Sequence, residues 1–305
     1  MYDIIGDIHG NADALKSLLL RMGYSKKNGY YSHANRKAVF TGDLVNRGSK
    51  VRQTIKLVRR MVENKAAYAV LGNHEYNLIC YHTRSTGSGY LKKHNSANRS
   101  LLYYTTKAFK DHPDEWDAVM RWIKQLPLFL EFEHFRVVHA CWDSRIVKFV
   151  RRNLPGHIMN EAFLHNSARE GTIENEVVGV LLSGIEVPVD KLTTVINSTG
   201  KPVDTMRIKW WMDPDAIKLS KVAFGEYRIQ PDRQLTKKER ASFVPYPENK
   251  RPVFIGHYCL KGEPGLQSPN ICCVDYCYCR KGHLVAYRME GESRLKQENL
   301  VAISC

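Results

Sequence analysis

No stretch of this chain approaches the roughly 20 consecutive apolar residues that a bilayer-crossing helix requires, so a helical membrane span is excluded. Its opening residues, Met1-Tyr2-Asp3-Ile4-Ile5-Gly6-Asp7, lack the basic start and long apolar run of a secretory leader, and a cytoplasmic protein is expected. No internal repeat and no low-complexity tract interrupt the 305 residues, which leaves a single packed domain as the expectation. A continuous basic arm is missing as well. The pairs Arg59-Arg60, Lys92-Lys93, Arg151-Arg152 and Lys237-Lys238 are scattered, so a formal charge of +15 favours anionic partners without specifying nucleic acid. Stable nucleic-acid binding is therefore not expected, although nucleic acid stays open as a substrate.

Cysteine is present but not in the pattern of a framework. Eight cysteines stand at 80, 141, 259, 272, 273, 277, 279 and 305. Without a leader they read as reduced thiols. The cluster Cys272-Cys273-Val274-Asp275-Tyr276-Cys277-Tyr278-Cys279 does not match the paired hooks of a structural zinc site, and its alternation reads as a strand of small buried residues.

What is there is an alternation of strands and helices. Tyr2–Ile5 is short and apolar, and residues 11–22 place Ala12, Leu15, Leu18, Leu19 and Met22 at helical spacing. Ala38-Val39-Phe40 is a second strand, 50–63 a helix, 68–71 a third strand, and a helix begins near His74. Such repetition implies parallel strands joined by crossover helices. A helical region is expected over 101–125, then strands at Arg136-Val137-Val138 and Pro252-Val253-Phe254-Ile255. The segments 270–275 and 284–288 read as antiparallel strands joined by a turn at Lys281-Gly282. Residues 145–250 carry mixed signals and are expected to form an insertion or cap on the single domain spanning 1–305.

The informative residues follow the strands. Gly6-Asp7-Ile8-His9-Gly10 comes after the first, and Thr41-Gly42-Asp43-Leu44-Val45-Asn46-Arg47-Gly48 after the second. Gly72-Asn73-His74-Glu75, His139-Ala140 and Gly256-His257 follow three others. The carboxyl edge of an α/β sheet is where ligands bind, and carboxylate, imidazole and amide oxygen together suit manganese, iron or zinc. Each motif alone has an ordinary reading: Asp-x-His is common, Gly-His marks turns, and Asn73 could simply cap a helix. Five of them in order at strand ends are hard to explain that way.

These motifs resemble the calcineurin-like metallophosphoesterase superfamily, and within it the phosphoprotein-phosphatase branch, which includes bacterial Ser/Thr phosphatases and symmetrical diadenosine tetraphosphate hydrolases. The resemblance implies an α/β fold, a sandwich of two mixed β-sheets flanked by helices. It implies two divalent metal ions, manganese first and iron or zinc as options. Asp7, His9 and Asp43 would hold one; Asp43 would bridge to the other, completed by Asn73, His139 and His257. His74 would protonate the leaving oxygen and Arg47 would grip the phosphate with two hydrogen bonds. A hydroxide bridging the ions would attack directly, with no phosphoenzyme.

Three departures from the family pattern stand out. Asn46 occupies the place of an aspartate that supports the charged form of the histidine; an amide can accept a hydrogen bond but cannot offset a positive imidazole. Gly256-His257-Tyr258-Cys259 lacks a second histidine, as that branch does, with Cys259 expected to be a packed thiol. Ala140-Cys141-Trp142 replaces glycines, and Lys209-Trp210-Trp211-Met212-Asp213-Pro214-Asp215 echoes a Trp-Ser-Asp-Pro segment that precedes a second phosphate-gripping arginine. Arg207, Lys218 and Lys221 are candidates for that role. The leading expectation is a Ser/Thr protein phosphatase-like monoesterase acting on a phosphorylated substrate. Alternatives are a symmetrical diadenosine tetraphosphate hydrolase, a phosphodiesterase of nucleic-acid ends, and an inactive module that binds a phosphorylated ligand.

Overall fold

In a computed structural model, which describes every residue except Ala216, two mixed sheets face one another. The first is built from β1 (Tyr2–Ile5), β2 (Lys37–Phe40) and β3 (Ala67–Ala69), and three later strands continue it beyond β1, one of them paired with β1 itself. β1 and β2 pair in parallel, as do β2 and β3. The crossovers that parallel pairing demands are α1 (Ala12–Arg21) and α2 (Val51–Glu63), both with one apolar face turned inward. α3 (Asn73–His82) follows β3, and α4 (Ser96–Phe109) and α5 (Pro113–Ile123) come next. The single helical region expected over 101–125 is thus two helices, because Pro113 starts a new one at its first turn.

The second sheet contains β4 (Phe129–Glu131) and β5 (Arg136–Val138). Beyond them lie α6 (Ser144–Asn153), α7 (Glu161–Ser167) and α8 (Ile173–Ser183). Two small antiparallel pairs follow: β6 (Glu186–Pro188) with β8 (Thr205–Arg207), and β7 (Thr194–Asn197) with β9 (Tyr227–Gln230). The chain then returns through β10 (Val253–Ile255), parallel to both β5 and β11 (Ile271–Cys273). One residue later it changes sheets. β12 (Asp275–Tyr276) pairs antiparallel with β13 (His283–Met289), which also pairs with β1 and with β14 (Leu300–Ser304). Segment 270–275 is therefore not one arm of a hairpin, since its first half belongs to the other sheet.

Period-two alternation explains the layers. Ile4, Val39, Val137, Phe254, Cys272, Val285 and Tyr287 pack together between the sheets, while Ile5, Phe40, Val138, Ile255 and Cys273 join the helices outside. Burying both faces of β1, β2 and β10 requires near-continuous apolar runs, which is what these strands have. Among the described residues no helix is long and apolar enough to cross a membrane. Of the eight cysteines, Cys259 and Cys277 form a disulfide, which corrects the reading of all as reduced and of Cys259 as a packed thiol. Their short approach comes from β10 and β12 running out side by side at the same end of the two sheets.

Candidate metal centre

β1, β2, β3, β5 and β10 all end toward one edge, and the residue types that drew attention in the sequence follow them there. Asp7, His9, Asp43, Arg47, Asn73, His74 and His257 line a single cavity of about 270 Å³. His139 and Asn46, both fully buried, stand behind that wall and touch it through hydrogen bonds. The turns that bring them together are strained. His9, Asp43, Asn46, Arg47 and His257 all have left-handed backbone, φ from 46° to 67°, which for a residue with a Cβ costs about 1–3 kcal/mol. Glycine's freedom matters at Gly42, where φ is 101°.

Asp43 lies at the centre. His9 Nε2 is 3.5 Å from its Oδ2 and His139 Nε2 is 3.5 Å from its Oδ1, one imidazole at each oxygen. His9 Nδ1 sits 3.0 Å from the Val45 carbonyl and His139 Nδ1 2.7 Å from the Thr41 carbonyl. A carbonyl can only accept, so each Nδ1 carries the proton and each Nε2 turns a lone pair toward Asp43. Asn73 Oδ1 is a further acceptor, 3.0 Å from His139 Nε2 and 3.1 Å from His257 Nδ1. Around Asp43 the lone pairs of carboxylate and imidazole converge with no proton between them, which fits hard or borderline divalent cations; His257 differs, because Arg207 donates to its Nε2 and its Nδ1 donates to Asn73 Oδ1. Two triples of donor atoms, His9–Asp43–His74 and Asp43–His139–His257, each fall within 4.8 Å and share Asp43. Asp7 is in neither triple. It accepts from the His257 N–H at 3.1 Å and from Thr41 Oγ1 at 3.3 Å at the cavity wall.

Electrostatics point the same way. Burial, with Asp275 and Asp43 nearby, holds the Asp7 carboxyl well above its usual range. Burial also works against Asp43, but His74, His139 and His9 pull it below the usual value. His9 is lowered to about 3 and His257 well below the ordinary value, in both cases first by burial. Crowded carboxylates without a neutralising partner repel one another in low dielectric, and cations held between them would relieve that cost.

His74 contacts the site's second layer. Its Nδ1 is 2.9 Å from Asn46 Nδ2, so the amide faces it with its N–H rather than its oxygen, opposite to the accepting role expected of Asn46. Burial first, and then Arg47, lowers the His74 pKa while Asp43 raises it.

Sequence reading gave no site role to Glu75, Asp275, Arg280 or Phe224, although Glu75 closes the Gly-Asn-His-Glu motif and Asp275 stands in the cysteine cluster. Glu75 is fully buried and accepts from the N–H groups of Gly72, Asp43, Leu44 and Val45 at 2.8–3.1 Å, tying the turn after β2 to the start of α3. Burial and Asp43 push it up to about 7. Its spacing from Gly72, three residues into a helix, is the available signal. Asp275 accepts from the N–H groups of Cys259 at 2.6 Å and Cys277 at 3.0 Å, bracing both ends of the disulfide. A lone acid inside an apolar strand was its only mark. Of three candidates for a second phosphate grip, Arg207 reaches the cavity wall, where Nη1 donates to His257 Nε2 at 2.9 Å; the lining does not include Lys218 or Lys221.

A family model described as calcineurin-like phosphoesterase matches residues 2–184. The chain is 34% identical over 139 residues to the asymmetrical bis(5'-nucleosyl)-tetraphosphatase of Oceanobacillus iheyensis, covering 45% of this chain and 54% of that one. It is 31% identical over 156 residues to the symmetrical bis(5'-nucleosyl)-tetraphosphatase of Actinobacillus succinogenes, covering 49% of each. It thus spans about half the length of these curated relatives. The solved structure of a cold-active protein-tyrosine phosphatase from a psychrophilic Shewanella covers 99% of this chain and 79% of its own, with a TM-score of 0.52 at 14% identity. That likeness shows the fold alone.

Proposed function

The chain belongs to the calcineurin-like phosphoesterases, and from that premise we propose that it is a metal-dependent hydrolase of phosphate esters or anhydrides. The observation that carries this reading is the set of unprotonated donors on both oxygens of Asp43. Asp7, His9 and Asp43 would hold one divalent ion. Asp43, Asn73, His139 and His257 would hold a second. When bound, such ions neutralise phosphate charge and acidify a water. Manganese is the first ion to try, given the mixed oxygen and nitrogen donors.

The chain's own residues do the rest. Arg47 and Arg207 stand at the cavity, Arg207 with Nη1 on His257 and Nη2 3.4 Å from Glu186, and would turn to the non-bridging oxygens of a phosphoryl group, the geometry for which arginine is suited. His74 presents Nε2 to the cavity beside Asp43, 3.8 Å from Oδ2, where it reaches a leaving oxygen. Arg207 and Phe224 both come from residues 145–250, which supports the reading of that stretch as a cap that shapes the substrate pocket.

Two substrate classes compete. The Gly-Asn-His-Glu turn suits a phosphoprotein monoester, whereas three arginines on one small cavity, Arg47, Arg207 and Arg280, suit a nucleotide with several phosphates. The similarity to tetraphosphatases supports the second. The test is metal content by mass spectrometry together with manganese-stimulated hydrolysis of p-nitrophenyl phosphate and diadenosine tetraphosphate. Wild type is expected to bind two ions and turn over at least one substrate. His139→Ala should lose one ion and about 100-fold or more in kcat. A folded protein that binds manganese yet hydrolyses no phosphate compound would favour the inactive binding module; one that binds none would sink the metal centre.

A further inference from the structure

Resting on the phosphoesterase reading, we propose that Phe224 is the platform on which the base of a nucleoside polyphosphate stacks while its phosphates lie among Arg47, Arg207 and Arg280.

Phe224 differs in kind from everything around it. The cavity is otherwise lined by carboxylates, imidazoles, guanidinium groups, one amide and Cys259 of the disulfide. Its ring is therefore the one aromatic hydrocarbon surface that this cavity offers. The two residues before it on the same segment, Val222 and Ala223, are buried, whereas Phe224 is only half-buried. Apolar surface left facing water forfeits about 25 cal/mol for each Å², and that deficit is made good when a flat apolar group covers the ring. Inorganic phosphate and phosphoserine carry no such group. A nucleobase does.

The ring is held in place before any ligand arrives. Ile208 and Ala223 form an antiparallel bridge, and the Phe224 N–H donates to the Arg207 carbonyl at 2.7 Å. One short contact between two segments thus sets the platform beside an arginine of the cavity. Behind it, Phe224 meets Tyr258 with ring centroids 4.8 Å apart and planes at 76°. Tyr258 is fully buried and meets Trp211 in the same way, at 4.7 Å and 80°. Edge-to-face contact of this kind is a favoured aromatic packing, and it occupies at most one face of the Phe224 ring. Among the described residues no further aromatic ring packs on the other. A ring fixed by its neighbours has little freedom to lose on binding.

Two ligand classes combine phosphate with a flat ring, namely aryl phosphates such as phosphotyrosine and nucleotides. The arginines choose between them. Arg47 beside the metal ligands is sufficient for the single phosphoryl group of a monoester, whereas Arg207 and Arg280 on the same cavity suit additional phosphates. Stacking reads the face of a base and not its hydrogen-bonding edge. The platform should therefore accept adenine and guanine alike, and hold both better than the smaller pyrimidines.

The test compares ATP and diadenosine tetraphosphate with inorganic tripolyphosphate, which has the phosphates and no base. Manganese holoenzyme is used, with free manganese held constant. In wild type the KM for ATP should lie about fivefold or more below that for tripolyphosphate, with GTP close to ATP. Phe224→Leu keeps an apolar side chain against Tyr258 but loses the π-face. It should raise KM for both nucleotides by about 5- to 100-fold, leave kcat level, and leave tripolyphosphate unchanged. Phe224→Tyr, which keeps the face, should keep the preference for ATP. Equal wild-type KM values for ATP and tripolyphosphate, a comparison that needs no variant, would overturn the platform. So would a Phe224→Leu enzyme that weakens both in proportion, since Phe224 would then be only a wall. A larger loss for a phosphotyrosine peptide than for ATP would overturn it in favour of an aryl ester. Turnover of p-nitrophenyl phosphate with none of any nucleotide would sink this inference and leave the phosphoesterase reading intact. No metal-dependent turnover of any phosphate compound would sink both.

Discussion

Asp3 is fully buried in the middle of β1, an ionisable side chain in a strand that otherwise carries the core. It is held by Arg36 Nε at 2.8 Å, the Tyr24 hydroxyl at 2.9 Å and Arg288 Nε at 3.3 Å. Arg36 is itself buried and spends another nitrogen on the backbone carbonyls of Tyr2 and Met289, so one guanidinium joins β1 to β13. A buried pair contributes little over apolar packing, yet removing one partner strands the other. Arg36→Met should therefore cost about 3 kcal/mol in urea unfolding. Arg36→Lys should recover only part of it, because an ammonium has no planar fork to serve three acceptors. A loss below about 0.5 kcal/mol would show that Tyr24 and Arg288 suffice. Nothing in the order of residues announced this pair. Alternation places Asp3 on an outward face, and only the tertiary arrival of Tyr24, Arg36 and Arg288 makes that face interior. Asp7, His9, Asp43, Asn73, His139 and His257 were legible for the opposite reason: each follows an apolar strand at once, and strand ends converge by topology rather than by side-chain packing.

At the scale of elements the short helix Lys237–Arg240 shows how a weak segment is held. Thr236 caps it, accepting from the Glu239 N–H at 3.2 Å, while Glu239 returns to the Thr236 N–H at 2.7 Å. Both nitrogens of the Arg233 fork meet the same carboxylate at 2.9 Å. Burial raises the Glu239 pKa, but the Arg233 and Thr236 bonds outweigh it and bring it to about 2, below the ordinary 4.5. The folded state therefore holds the ionised form more strongly than the unfolded chain does. That stability is fully present above pH 4.5 and is lost as the pH falls toward about 2. The gap in unfolding free energy between wild type and Glu239→Gln should shrink across that window; a gap equally large at both ends would mean that packing, not charge, holds the helix. Thr236-x-x-Glu239 is a capping signature that sequence shows, but the surrounding residues 145–250 stayed illegible because their short strands pair within small two-stranded sheets and present no long period. The disulfide was hidden by a different cause. Cys259 and Cys277 are 18 residues apart, and their meeting depends on β11 leaving one sheet and β12 entering the other at Val274.

For the whole molecule the question is whether a charge of +15 serves the site or merely the surface. Long-range attraction acts on encounter and is screened over about 8 Å at physiological salt. If the scattered lysines and arginines steer, kcat/KM for a nucleoside polyphosphate should fall about tenfold from low salt to 0.5 M while kcat stays level. p-Nitrophenyl phosphate, with fewer charges, should fall less. Local and global sources can then be separated at Arg280, which is exposed at the cavity rim and makes no ion pair among the described residues. Arg280→Gln changes the net charge by one part in fifteen, so a diffuse field would leave the salt slope almost unaltered. A rim arginine that contacts an outer phosphate would flatten the slope measurably and raise KM for the polyphosphate alone. Equal salt slopes for both substrates in wild type would mean that the positive surface does not guide substrate to the cavity, and the excess charge would then be a property of the solvated exterior.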